Sequence, residues 1–248
     1  MPAVFVHGNP ESPAIWNLLI PELDREDVIT LSPPGFGAPV PEGFGATRIE
    51  YVDWLVAELT KIDEPLDLVG HDWGAGHVIG LVATRPELVR SWCFDCAGLV
   101  HPEYVWHDLA QVWQTPGAGE EAVDAMLVST PIEERTAAYM ELGMTRDIAA
   151  EVASAGNSEM ARCVLNLYRS AAQPVMRELG ELAPTAKQRP GRVIFAELDH
   201  YCGTEEMART AAARMGAEVS VLKGVGHWWM IEDPGAGAAV LNEFWAGL

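Results

Sequence analysis

The sequence has 248 residues, 49% of them hydrophobic, and is therefore long enough to form one large core. Its formal net charge is −20, and so acidic a chain repels nucleic acids and anionic membrane surfaces. No signal-peptide pattern precedes the first apolar segment, and no apolar run reaches the roughly 18 residues of a membrane helix. We therefore expect a cytoplasmic protein with no nucleic-acid or membrane partner.

Short apolar runs separated by amphipathic segments predict a parallel sheet flanked by helices. In chain order, the strand-like runs are Ala3–Val6, Val28–Leu31, Leu66–Val69, Ser91–Asp95, Val193–Ala196 and Val219–Leu222. Apolar residues recur at helical spacing in residues 49–62, 77–89 and 205–215. Strands that alternate with helices predict βαβ units, and hence an α/β fold with a mostly parallel sheet.

The alternation of strands and helices stops between residues 99 and 186. This stretch holds only helical patterns, separated by Pro and Gly, in residues 120–128, 133–142, 146–155 and 159–171. A helical insertion between two strands predicts a lid over the carboxyl edge of the sheet, where open α/β sheets bind ligands. We therefore expect residues 1–98 and 187–248 to form one core and residues 99–186 to form a helical lid.

The four cysteines are Cys93, Cys96, Cys163 and Cys202. Cys93 and Cys96 form a CxxC pattern inside a predicted buried strand, where residues three apart point to opposite faces. There is no second cysteine pair and no histidine cluster nearby, so the pattern favours buried structural thiols over a zinc or redox site.

The segment LDLVGHDWGAG, residues 66–76, places an aspartate between a strand and a helix. Gly-x-Asp-x-Gly in this context is typical of a nucleophile elbow, a sharp turn that pushes its central side chain into the cleft. Asp72 occupies the central position, and Gly70 and Gly74 leave room for the turn. A carboxylate at this position favours attack on an sp³ carbon, with an alkyl ester on the enzyme as intermediate.

Polar groups follow three other predicted strands. After the first strand, HGNP supplies Asn9, whose backbone N–H and that of Trp73 are suited to stabilising an oxyanion. AELD carries Asp199 and GHWW carries His227, so nucleophile, acid and histidine follow one another in the chain order of α/β-hydrolases. Asp95, at the end of the strand before the lid, is the alternative acid.

Together these pieces resemble the epoxide hydrolase and haloalkane dehalogenase branch of the α/β-hydrolases. The resemblance covers nearly the whole chain and rests on HGNPES, PPGFG, GHDWGAG, QTPG, NLYRS, AELD and GHWW. It implies an α/β-hydrolase fold with about six strands, since we expect the two family strands that usually precede the HG motif to be absent. It also implies a small apolar substrate and water as reactants, with no cofactor and no metal.

The leaving group separates two functions within this branch. An epoxide oxygen needs a proton donor, and Tyr168 in NLYRS matches the lid tyrosine of epoxide hydrolases, with His107 and Trp106 as further lid candidates. A halide needs N–H donors, and Asn9 and Trp73 match the Asn–Trp pair of haloalkane dehalogenases.

The sequence therefore predicts a hydrolase that forms an ester on Asp72 and hydrolyses it with His227. Epoxide opening to a diol is the first interpretation, and haloalkane dehalogenation is the alternative. A non-catalytic ligand-binding protein on the same fold is the third, which the intact Asp72–His227 pair disfavours.

Overall fold

Six parallel strands form the centre of the computed structural model, which describes residues 1–248. The strands are β1 (Ala3–Val6), β2 (Val28–Leu31), β3 (Asp67–Gly70), β4 (Ser91–Phe94), β5 (Gly191–Ala196) and β6 (Glu218–Leu222). They lie in the order β2-β1-β3-β4-β5-β6, and every neighbouring pair is parallel. The predicted six-stranded parallel sheet is confirmed, with strand ends that differ from the prediction by at most two residues.

Eleven α-helices accompany the sheet. They are α1 (Arg48–Thr60), α2 (Trp73–Thr84), α3 (Asp108–Gln114), α4 (Ala118–Asp124), α5 (Ile132–Glu141), α6 (Arg146–Ala155), α7 (Ser158–Ser170), α8 (Val175–Leu182), α9 (Glu205–Met215), α10 (Trp229–Glu232) and α11 (Pro234–Ala246). A π-helical segment, Ala125–Ser129, continues α4. No predicted helical pattern covers α3, α8, α10 or α11. For α11 the sequence held helix-start signals, because Asp233 caps its first turn and Pro234 stands at its first position.

Both faces of the sheet are covered. Along β1, Val4 and Val6 pack into one hydrophobic core together with residues of α1 and α2. Ala3 and Phe5 point the other way and pack into a second core together with residues of α10 and α11. Successive side chains of a strand point to opposite faces, so this fully apolar strand suits a sheet that is buried on both sides.

Only helical elements lie between β4 and β5, where the sequence predicts a helical insertion. In this segment α3 and α4 pack on α7, and α5 packs on α6. Because parallel strands share one carboxyl edge, the loops that carry Asn9, Asp72, Asp95, Asp199 and His227 all end at the same side of the sheet. No helix has both the length and the apolar character that crossing a membrane requires.

The prediction of buried structural thiols for the CxxC pair, Cys93 and Cys96, is wrong for Cys96. β4 ends at Phe94, so Cys96 lies beyond the strand with a left-handed backbone (φ 51°), and it forms a disulfide with Cys202. Cys93 is free and buried, as predicted, and Cys163 is also free and buried. The two bonded residues are 106 positions apart and meet only where the loops after β4 and β5 converge, which sequence spacing does not reveal.

Candidate active site

Asp72 lies at the turn between β3 and α2 with a backbone that L-residues rarely adopt. Its φ is 51° and its ψ is −120°, and α2 begins at the next residue, Trp73. The turn brings backbone segments so close that a Cβ atom on Gly74 would lie 2.1 Å from the carbonyl oxygen of Val6. This is the strained, tightly packed geometry of a nucleophile elbow.

The carboxylate of Asp72 contacts the loop after β1 and the loop after β6. Its Oδ1 accepts a hydrogen bond from the backbone N–H of Asn9 at 3.0 Å, and its Oδ2 lies 3.7 Å from Nε2 of His227. A Cβ atom on Gly8 would lie 2.2 Å from Oδ1 of Asp72, so this approach requires glycine. The N–H of Trp73, in the first turn of α2, has no acceptor within the helix.

His227 is held from behind by Asp199. Nδ1 of His227 lies 2.8 Å from Oδ2 of Asp199, whose Oδ1 accepts the backbone N–H of Tyr201 at 2.7 Å. This contact places the proton on Nδ1 and leaves Nε2 facing Asp72. Burial works against the charged imidazole, but the carboxylates of Asp199 and Asp72 outweigh it and raise the pKa of His227.

Asp95, the alternative acid, does not contact His227. Its Oδ1 accepts the backbone N–H of Asp72 at 3.0 Å, and its Oδ2 contacts Nδ1 of His71 at 2.5 Å and Nε1 of Trp229 at 2.8 Å. The structure therefore groups Asp72, His227 and Asp199, and it places Asp95 beneath the elbow as a support for its backbone.

A second buried charge network includes Glu11 and His71, to which the sequence analysis assigned no role. Glu11 accepts hydrogen bonds from the N–H of Gly8 at 2.9 Å and from Nε1 of Trp228 at 2.5 Å, and it lies 3.2 Å from Nε2 of His71. Burial alone would raise the pKa of Glu11, but His71 lowers it to about 2. Glu11 and Asp95 in turn raise the pKa of the fully buried His71 well above its ordinary value. The signal for both residues was their place within HGNPES and GHDWG.

The environment of Asp72 keeps its pKa near the physiological range. Burial raises the pKa of Asp72 to about 6, with a further contribution from Glu11, while His227 and the Asn9 N–H act in the opposite direction. Asp72 is therefore mostly ionised at pH 7.

A cavity of about 90 Å³ lies above Asp72. Its walls combine polar side chains at the carboxyl edge of the sheet with aromatic and aliphatic side chains from the helical segment. The lining residues are Asn9, Pro10, Glu11, Asp72, His107, Leu109, Trp113, Met126, Tyr139, Leu142, Tyr168, Tyr201, His227 and Trp228. A mostly apolar cavity with a few convergent polar groups is the usual form of a small-molecule site.

Two side chains of the helical segment bring neutral hydrogen-bond donors to this cavity. Nδ1 of His107 accepts the backbone N–H of Ala110 at 3.2 Å as the cap of α3, which leaves the ring proton on Nε2. Burial lowers the pKa of His107 to about 4, so the ring is neutral at pH 7. Burial and the nearby charge of Asp72 raise the pKa of Tyr168 well above its ordinary value, so its hydroxyl keeps its proton.

Of the remaining predicted donors, Asn9 lines the cavity and Trp73 and Trp106 do not. Neither the nitrogen nor the oxygen of the buried side-chain amide of Asn9 has a hydrogen-bond partner. Trp73 stacks on Trp106 with ring centroids 5.7 Å apart, and neither ring lines the cavity. Near these rings, the hydroxyl of Tyr104 donates to the carbonyl of Tyr201 at 2.7 Å.

The family is decided by a match over almost the whole chain. The model of the alpha/beta hydrolase family matches residues 3–240. The chain belongs to the α/β-hydrolase family. In this hydrolase, Asp72, Asp199 and His227 follow β3, β5 and β6 at the carboxyl edge of the sheet.

Similar sequences include hydrolases of different kinds. A haloalkane dehalogenase from Mesorhizobium japonicum is 29% identical over 136 residues, which are 48% of this chain and 42% of that protein. The aligned part is thus less than half the length of that relative. The AB hydrolase superfamily protein YfhM from Bacillus subtilis is 22% identical, with 97% of this chain and 87% of that protein covered.

Solved structures share the fold over almost the full length of this chain. A loop variant of the haloalkane dehalogenase DbeA from Bradyrhizobium elkanii matches with a TM-score of 0.78 and 22% identity, over 99% of this chain and 89% of that one. A bromoperoxidase from Bacillus anthracis matches with a TM-score of 0.75 and 17% identity, over 99% and 91% of the two chains. At these identities the likeness shows the fold alone.

Proposed function

We propose that this hydrolase opens small epoxides to diols through a covalent ester on Asp72. The observation that carries the proposal is the pair of neutral donors, Tyr168 and the Nε2–H of His107, lining the same cavity as the Asp72 carboxylate. An epoxide needs a proton donor opposite its nucleophile, because its leaving oxygen stays attached to the product as an alkoxide. The proposed lid, residues 99–186, supplies both donors.

The first step forms the ester. The Asp72 carboxylate attacks one epoxide carbon, the bond from that carbon to the ring oxygen breaks, and the oxygen takes the proton of Tyr168 while the Nε2–H of His107 donates a hydrogen bond to it. The pKa of His107, about 4, leaves its ring uncharged at pH 7. It can therefore polarise the ring oxygen as a neutral donor.

The second step hydrolyses the ester. His227 takes a proton from water, the resulting hydroxide attacks the ester carbonyl of Asp72, and Asp199 stabilises the imidazolium. The bond from the carbonyl carbon to the product oxygen then breaks, the hydroxide proton passes to the departing diol, and the imidazolium proton returns to the deprotonated Tyr168. The Asn9 N–H, already 3.0 Å from Oδ1 of Asp72, and the Trp73 N–H are the donors for the oxyanion. The charge of Asp72 helps to raise the pKa of His227. Ester formation removes that charge, so His227 becomes a neutral base more readily in the step that needs one.

Haloalkane dehalogenation is the second candidate, and the amide of Asn9 favours it. Asn9 lines the cavity, and its buried Nδ2 has no hydrogen-bond partner, as an unengaged donor for a halide would have none. The other half of the expected pair is less suited, because the ring of Trp73 is not among the groups that line the cavity. A non-catalytic ligand-binding role and the cytoplasmic location stay predictions.

A paired assay separates the two reactions. The purified protein is incubated with 1,2-epoxybutane or with 1-bromobutane, and diol and bromide are measured. We expect diol formation well above the rate of bromide release, and neither product with Asp72→Asn. Bromide release without diol would replace the first candidate by the second, and absence of both products with a range of small substrates would contradict an Asp72 hydrolase.

A further inference from the structure

We infer that reduction of the Cys96–Cys202 disulfide turns its surroundings into a zinc site that also recruits Asp199 and His227. The two sulfur atoms, a carboxylate oxygen of Asp199 and a ring nitrogen of His227 all lie within 4.8 Å of one another. The four residues come from three different loops, after β4, β5 and β6, and their exposed fractions are only 4 to 9%.

The spacing of these atoms suits a tetrahedral metal. Zinc–ligand bonds of about 2.0–2.3 Å place the ligands of a tetrahedron about 3.3–3.8 Å apart. Every pair of ligand atoms lies within 4.8 Å, so the side chains need to move little to surround a bound ion. The separation between the two sulfur atoms must grow, which reduction allows, and the 2.8 Å distance between Nδ1 of His227 and Oδ2 of Asp199 must lengthen by about 0.5 Å or more.

The chemistry of the donors selects zinc over the hard cations. Thiolate and imidazole ligands favour zinc, whereas calcium and magnesium require oxygen ligands. Two thiolates, one carboxylate and a neutral imidazole carry three negative charges, which bind a divalent cation strongly. All four positions of the tetrahedron are filled by protein, so the metal has no open position for a substrate.

The loops on both sides are anchored independently of the disulfide. Cys96 follows Asp95, whose carboxylate accepts the backbone N–H of Asp72 and the indole N–H of Trp229. Gly98, on the same loop as Cys96, lies against the other loop: a Cβ atom there would lie 2.1 Å from the carbonyl oxygen of Cys202, so the two backbones are in direct contact. The two thiols therefore stay close together after the S–S bond breaks.

The consequence is a redox-dependent metal site. A dithiol reductant transfers two electrons and two protons to the disulfide, which becomes two thiols while the reductant becomes a disulfide. Zinc then displaces the two thiol protons. The bound ion occupies the imidazole and the carboxylate that the proposed triad needs, whereas the oxidised chain cannot offer the thiolates. Metal binding does not rest on the proposed substrate, but the loss of activity does rest on the proposed triad.

Metal binding by the reduced and oxidised full-length chain tests the inference. The protein is reduced with a phosphine, desalted under anaerobic conditions and titrated with Co²⁺, whose thiolate charge-transfer bands report sulfur ligation. Zinc is then titrated against a chromogenic chelator. We expect one metal ion per reduced chain and at least about 100-fold weaker binding to the oxidised chain. A reduced chain that binds neither ion above the oxidised level would overturn the inference.

Cysteine variants identify the ligands. Cys202→Ser and, separately, Cys96→Ser should abolish the charge-transfer bands, whereas Cys163→Ser is the matched control because Cys163 is a free buried thiol outside the cluster. Circular dichroism establishes whether each variant is folded. If one of the two cysteine variants does not fold, the other provides the test. Equal zinc affinity in Cys202→Ser and Cys163→Ser would also overturn the inference.

Discussion

At the scale of single residues, three histidines show how burial and neighbours set the state of one side-chain type. His71 lies between two carboxylates, which raise its pKa well above the ordinary value. Burial lowers the pKa of His107 to about 4. Asp199 and Asp72 also raise the pKa of His227, whose Nε2 faces the Asp72 carboxylate, so it is the histidine placed to exchange protons during a reaction.

Tyr168→Phe should separate the two leaving groups. Loss of the hydroxyl removes a proton donor, so we expect kcat for epoxide opening to fall by about 10²-fold or more. A halide leaves as an anion, so any bromide release should change little. Tyr51→Phe is the matched control, because the buried hydroxyl of Tyr51 donates to the carbonyl of Pro34, outside the cavity. Equal losses of diol formation in the two variants would contradict the role of Tyr168.

His227→Gln should arrest the reaction at the ester. The first step needs the Asp72 carboxylate but no base, whereas the second needs a base to activate water. Mass spectrometry of the variant after addition of an epoxide should show an adduct on the peptide that contains Asp72. The double variant that also carries Asp72→Asn should show none. An unmodified Asp72 peptide in His227→Gln would be evidence against the covalent step.

At the scale of secondary-structure elements, the two edges of the sheet have different tasks. The carboxyl edge carries the candidate site, and the amino edge carries an ion cluster around Asp67 at the start of β3. The Asp67 carboxylate is fully buried and contacts Arg25 at 2.9 Å, Arg90 at 2.6 Å and the hydroxyl of Ser91 at 2.6 Å. This cluster ties together the segments that lead into β2, β3 and β4.

Asp67→Asn should lower stability and change its pH dependence. Burial alone would raise the pKa of Asp67, but the hydrogen bonds from Arg90, Ser91 and Arg25 outweigh it and hold the pKa below 3.8. A depressed folded-state pKa stabilises the native state above the unfolded value, and this contribution is lost as the pH falls through the folded value. We expect the variant to lose about 3 kcal/mol at pH 7, because two arginines lose a buried partner.

Urea unfolding between pH 7 and pH 3 measures both effects. Asp53→Asn is the matched control, because Asp53 is exposed on α1 and makes no ion pair. The wild type and Asp53→Asn should lose stability below about pH 4 more steeply than Asp67→Asn. Parallel curves for all three proteins would show that Asp67 does not contribute in this way.

At the scale of the whole molecule, the charge of −20 is the dominant electrostatic feature. Like charges distributed over one compact surface repel one another and oppose folding. Only 16 basic residues face 36 acidic ones, so ion pairs cannot neutralise most of the carboxylates.

Salt should therefore stabilise the hydrolase. Raising the ionic strength from 0.01 M to about 0.3 M shortens the Debye length from about 30 Å to well below 10 Å and screens the net repulsion. We expect the Tm to rise by a few degrees, about 2–5 °C, in differential scanning calorimetry. Sodium and potassium chloride should act alike, since screening does not depend on the identity of the cation. A constant or falling Tm would show that local ion pairs outweigh the net charge.

Whether a feature could be predicted from the sequence depends on how far apart along the chain the interacting residues lie. Strand runs, the elbow at Asp72 and the site positions Asn9, Asp199 and His227 are local signals, because each depends on the few residues around it. The order of strand ends along the chain then predicted that these groups meet at one edge, and the structure brings them together.

Contacts between distant segments were decided by the tertiary structure. Asp199 rather than Asp95 faces His227 because the loop after β5 bends toward the loop after β6, while Asp95 is engaged by His71 and Trp229. The Cys96–Cys202 bond and the Glu11–His71 contact likewise join loops from different strands.

By itself, then, the sequence determined which chemical groups this hydrolase possesses and on which edge of which sheet they lie, because hydrophobic periodicity and turn chemistry act over short distances. The partners of each group, and hence their pKa values, were decided only by folding, because hydrogen bonds and burial depend on how separate loops pack in three dimensions.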